Sequence, residues 1–89
     1  MAWHRYKAYD CMNGEEVLKG EGTIRVITAH TVADAMRRKI GLRFAQGTVR
    51  LIARSMFIWD MCDRIDERIY ARLIIDEKPM EDKRSKFNG

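Results

Sequence analysis

Asn13-Gly14 lies between two runs that both alternate in the extended manner, and that placement constrains the chain more than any other pair of residues. Both residue types tolerate the positive φ that a tight, twisted turn demands, so the pair predicts a β-hairpin. The first arm, residues 3–11, sets Trp3, Arg5, Lys7, Tyr9 and Cys11 against His4, Tyr6, Ala8 and Asp10, with aromatic rings in both sets. That content suits a strand. The second arm, residues 17–28, pairs back on it, and Gly20 and Gly22 predict a bulge or bend ahead of the more regular residues 23–27.

A helix follows. Thr31-Val32-Ala33-Asp34 has the form of a capping box, with the Thr31 hydroxyl placed to accept from a free amide and the Asp34 carboxylate suited to the positive helix end. Val32, Met36, Ile40 and Phe44 recur every fourth residue with Ala35 beside them, which predicts one buried stripe, while Arg37, Arg38 and Arg43 fall on the polar side. Gly47 is placed to end the helix, and Gly41 inside the pattern weakens the last turn. Residues 48–55 then alternate Val49, Leu51 and Ala53 against Arg50, Ile52 and Arg54, as a third strand does.

Residues 56–75 match two templates. As a helix they gather Ile58, Met61, Cys62, Ile65, Ile69 and Leu73 on one stripe, and Asp60 stands four residues before Arg64, a favourable pairing. As a strand, residues 69–75 alternate Ile69, Ala71, Leu73 and Ile75 with Arg68, Tyr70 and Arg72. No Gly, Pro or Asn punctuates the segment before Pro79, so the helix over residues 55–66, continuing to 73, is the expectation, and a strand at residues 69–75 is the alternative. The fold class expected is a small α+β domain: β-hairpin, helix and strand (ββαβ), followed by a C-terminal helix. Residues 1–78 form the single domain and residues 79–89, mixed in charge and poor in large apolar side chains, a flexible tail.

Charge is uneven. Residues 1–55 hold ten basic and five acidic residues, residues 56–89 seven and eight, so the overall +4 belongs to the first part. A surplus of this size permits attraction to nucleic acid or to an acidic protein and is too small for a basic tail. The segment after Met1 lacks the apolar run of a signal peptide, no stretch approaches the roughly 18 apolar residues of a membrane span, and Cys11 and Cys62 stand apart without paired spacing. The expectation is a reduced, cytoplasmic protein that does not engage a membrane.

The residues that do chemistry are few. Two serines, His4, His30, Cys11 and Cys62 provide no nucleophile and base at local spacing, and they lack paired metal-ligand spacing. Cys62 reads as a small buried hydrophobe, and His30 as a loop residue before the helix cap. Asp60, Asp63, Asp66 and Glu67 interleave with Arg64 and Arg68 as a solvated helix face does. Gly20-Glu21-Gly22 lacks the third glycine and following helix of a dinucleotide loop. No catalytic residue, cofactor or metal site is therefore expected.

Three surfaces remain as candidates. The first is a sheet face of Trp3, Arg5, Lys7, Tyr9, Arg25, Arg50 and Arg54, where rings stack on bases and cations meet phosphates, or where an acidic partner docks. The second is the basic helix face of Arg37, Arg38 and Arg43, extended by Lys39. The third is an apolar interface of Met56, Phe57, Trp59, Ile69 and Leu73, through which two copies would form a homodimer. For each, an ordinary solvated face or a core position is the competing reading.

The general character of the chain, compact and without a leader or catalytic constellation, resembles the small accessory proteins that phages and mobile elements encode to bind and inhibit host macromolecules. No particular residue carries that resemblance. It implies a non-enzymatic inhibitor in the host cytoplasm, acting by stoichiometric protein–protein interaction. A nucleic-acid-binding module using the basic and aromatic sheet face is the alternative.

Overall fold

The computed structural model describes residues 2–41 and 47–80. Within them the order of elements is β1 (His4–Asp10), β2 (Val17–Ile24), α1 (Ala29–Ile40), β3 (Val49–Ala53), β4 (Ile58–Asp63) and β5 (Ile69–Ile75). The five strands form one sheet in the order β2-β1-β5-β4-β3, and every neighbouring pair is antiparallel. The two edge strands, β2 and β3, therefore run in the same direction, and α1 is the connection that carries the chain from one edge to the other. The first and last strands meet in the middle, with Tyr6 opposite Ile75 and Ala8 opposite Leu73.

The Asn13-Gly14 turn joins β1 to β2 as expected, with Gly14 at φ 81° and its N–H donating to the Cys11 carbonyl. Register between the arms shifts once: Ala8 faces Gly20 and Tyr9 faces Leu18, which leaves a bulge at Lys19. The two glycines nearby serve packing. A Cβ on Gly22 would meet the Tyr6 hydroxyl at 2.5 Å, and one on Gly20 would meet the Lys39 side chain at 2.9 Å. Their bare backbones let the Tyr6 ring and the Lys39 stem lie across β2.

The helix starts earlier than the sequence suggests. Thr28 is its N-cap, accepting from the Thr31 N–H at 3.2 Å, while the Thr31 hydroxyl accepts from the Thr28 N–H at 2.9 Å. A threonine can act at either end of this reciprocal box, and Thr31 also donates to the Val26 carbonyl at 2.6 Å, which holds it in the third helical position. His30 consequently lies inside the first turn, 3.9 Å from Asp34, and not in a loop. Gly41, at φ 68°, closes the helix by donating to the Arg37 carbonyl, where residue 47 was expected to end it. Val32, Ala35 and Met36 are buried as read, and Phe44 lies outside the described residues.

The expected C-terminal helix does not form. Its span contains β4 and β5, and the alternative strand at Ile69–Ile75 is the one observed. The reason lies in residues 64–68, which turn without Gly or Pro. The Asp63 carboxylate accepts from the N–H groups of Ile65 and Asp66, Asp66 accepts from the Arg68 N–H, and Glu67 takes φ 62°. Such side-chain to backbone bonds reverse the chain as effectively as a glycine turn. Ile65, placed on the apolar stripe by the helical reading, is instead 94% exposed at the hairpin tip.

One face of the sheet packs on α1. Tyr6, Ala8, Ile24, Met61, Ala71, Leu73 and Ile75 meet Val32, Ala35 and Met36 there, with Ile40, Val49, Leu51, Phe57 and Trp59 at the margin. The chain after β5 stays bound to the start of β1, since Asp76 donates to the Arg5 carbonyl and Met80 to the Trp3 carbonyl. Residues 81–89, most of the expected tail, lie outside the described residues.

Candidate functional site

Alternation along each strand places Arg5, Lys7 and Tyr9 of β1, Arg72 and Ile74 of β5, Ile58, Asp60 and Cys62 of β4, and Arg50 and Ile52 of β3 on the face opposite α1. Cross-strand register makes two rows on this face. Ile52, Asp60, Arg72, Tyr9 and Leu18 form one, and Ile58, Ile74, Lys7 and Glu21 the other. No other described element lies on this face. Leu18 and Ile58 are 47% and 38% exposed, while Ile52, Ile74 and Tyr9 are half-buried among their neighbours.

Within the first row Asp60 is fully buried, although no other described element lies on this side. Arg72 forks onto it, Nε to Oδ1 at 2.6 Å and Nη2 to Oδ2 at 3.0 Å, and Arg54 Nε reaches Oδ2 at 2.8 Å. Two parallel N–H···O bonds from one guanidinium fix both position and orientation. Arg72 Nη1 goes on to Glu16 at 2.7 Å, and the Arg54 Nη2 lies 3.9 Å from the Cys62 sulfur. Burial alone pushes the Asp60 carboxyl up, but the hydrogen bonds and charges of Arg72 and Arg54 outweigh it and hold the group below the usual carboxylate range. The same contacts push the Arg72 guanidinium higher. Arg50 is spoken for in a different way, by Glu67 at 2.7 Å.

The seven residues expected on one sheet face divide. Arg5, Lys7, Tyr9, Arg50 and Arg54 belong to it. Trp3 and Arg25 lie beyond the ends of β1 and β2, where with Arg38 they line a shallow groove on the helix side. On the helix itself Arg37 stands 3.6 Å from Asp34, Lys39 packs on Gly20, and Arg43 lies outside the described residues. The expected apolar interface is dispersed by the loss of its helix. Leu73 is wholly buried in the core, Phe57 and Trp59 pack against that core, Ile69 is half-buried, and Met56 is exposed in the turn between β3 and β4.

Sequence reading missed Arg72, Glu16, Ile58 and Ile74, and assigned Asp60 to a wet helix surface. The available signal was the alternation of Arg68, Tyr70 and Arg72 against Ile69, Ala71, Leu73 and Ile75. The two cysteines are buried, and burial raises both thiols above their ordinary range, which keeps them protonated and weakly nucleophilic. Among the described residues no three His, Cys, Asp or Glu side chains are placed to share a metal ion, and no helix is long and apolar enough to cross a membrane. Fold and site together define the class only as an α+β domain with a one-sided five-stranded antiparallel sheet. Comparison with protein-family models, curated proteins and solved structures finds no match.

Proposed function

We propose that the protein acts without catalysis, by stoichiometric binding of another protein on the helix-free face of its sheet. The observation that carries this reading is the face's construction. Ile52, Ile58, Ile74, Tyr9 and Leu18 surround a guanidinium–carboxylate–guanidinium cluster, and no described element covers them. Arginine held rigidly among apolar and aromatic side chains is the composition of a contact centre. Arg5 and Lys7, at one side of the face, have no ion pair among the described residues, and they favour a partner whose apolar patch carries carboxylates at its rim.

The test is affinity capture from the cells that make the protein, using the wild type, Ile58→Asp, Ile74→Asp and, as a control on the helix surface, Arg37→Ala. A stoichiometric partner held by the wild type and the control, and at least tenfold weaker with either aspartate variant, supports the reading; a partner held equally by all four removes it.

Nucleic-acid binding is the second reading, favoured by Tyr9 lying next to Lys7 along β1 and opposite Arg72 on β5. Against it, Glu16, Asp60 and Glu67 are already paired with Arg72, Arg54 and Arg50, and Glu21 faces Lys7 in the register. Retention on a DNA or RNA column that falls steeply with salt and is weakened by Arg5→Ala would favour this second reading over the first.

A further inference from the structure

β2 is an edge strand eight residues long, and no described strand pairs with the outer side of its backbone. Free N–H and C=O groups along such an edge are a template for another strand. A lysine and a bulge, both present here at Lys19, ordinarily discourage that pairing. Glu21 changes the situation. Residues 17–24 read Val-Leu-Lys-Gly-Glu-Gly-Thr-Ile, and an antiparallel pair of two such strands centred on Gly20 sets each Lys19 opposite the other copy's Glu21. The charges that repel an arbitrary strand thus match an identical one. The same register brings Val17 and Leu18, 46% and 47% exposed, opposite Thr23 and Gly22.

We infer that β2 pairs antiparallel with β2 of a second copy about a twofold axis at Gly20, specified by reciprocal Lys19–Glu21 contacts. The occupant of this edge is the chain itself, because only a twofold arrangement satisfies both charges on both copies at once. The two sheets merge into one, and the helix-free faces become continuous across the axis. The inference stands on the edge and not on that face, so either can fail alone.

Sedimentation equilibrium and light scattering at micromolar to hundred-micromolar concentration decide it. The wild type should weigh twice 10.5 kDa. Lys19→Glu and Glu21→Lys each place like charges opposite one another in two symmetric pairs and should weaken association by about tenfold to a hundredfold. The double exchange, Lys19→Glu with Glu21→Lys, restores opposite charges and should restore the dimer, with circular dichroism confirming that all variants fold. A monomeric wild type, a dimer indifferent to the single variants, or a double variant that stays monomeric overturns the inference. Ile58→Asp should leave the mass unchanged while abolishing partner capture.

Discussion

Asp60 carries the widest gap between what its neighbours in sequence suggest and what it does. Beside Asp63 and Arg64 it looks like a solvated carboxylate, yet its partners are Arg54 and Arg72, six and twelve residues away, brought to it by strand pairing. Local spacing holds no trace of a contact made across two strands. Because its folded-state pKa is lowered, the stability it contributes is present above the ordinary carboxylate range and lost as pH falls through the folded value. Asp60→Asn should cost about 2–4 kcal/mol at pH 7 by leaving two guanidinium groups poorly compensated. The gap between variant and wild type in urea titrations should narrow toward pH 3. The glycines offer a second test at this scale. Gly22→Ala presses on the buried Tyr6 ring and should destabilise by about 1–3 kcal/mol, whereas Gly20→Ala meets a lysine stem that can swing aside and should cost less.

Elements bounded by local chemistry were legible, and those bounded by subtler turns were not. Asn13-Gly14 announces its hairpin, and the four-residue recurrence of Val32, Met36 and Ile40 announces the helix. The helix start slipped by three residues because Thr28 and Thr31 are chemically alike, and only the Val26 carbonyl distinguishes them. Thr28→Ala should lower stability by about 1 kcal/mol. Thr31→Ala should do likewise, and the double variant should cost less than the sum, since the two hydroxyls also bond each other at 3.3 Å and either single variant already removes that contact. The helix expected over residues 55–66 and on to 73 does not form because the turn inside that span is built from Asp63 and Asp66 and not from a helix breaker. Apolar residues on two strands of alternating exposure happened to fall also at helical spacing. The strand signal survived only where β-branched residues concentrate, at Ile69–Ile75.

At the scale of the whole molecule, the described sheet with α1 on one of its faces explains both the core and the candidate site. Five strands bury one surface against α1 and leave the other patterned with isoleucines and arginines, so a single architectural fact puts Ile52, Ile58 and Ile74 on the face that carries Arg5, Lys7 and Arg50. The sequence revealed the basic half, through Arg5, Lys7, Arg50 and Arg54, and not the apolar half, because Ile58 and Ile74 join it only once β4 and β5 are strands. Leu73, fully buried on the central strand, should cost about 2–5 kcal/mol when truncated to alanine, seen as a lowered urea midpoint. The position of β5 also bears on how the chain is made. Of the described strands it is the last to be synthesised, and it fills the gap between β1 and β4, which are not neighbours without it. Until residue 75 has emerged, the nascent chain holds two hairpins with four open edges, the state in which strands find wrong partners. Insertion of the final strand halves the exposed edges at a stroke, so the sheet closes late, and a chain stalled before Ile69 is a fragment prone to join with others like it.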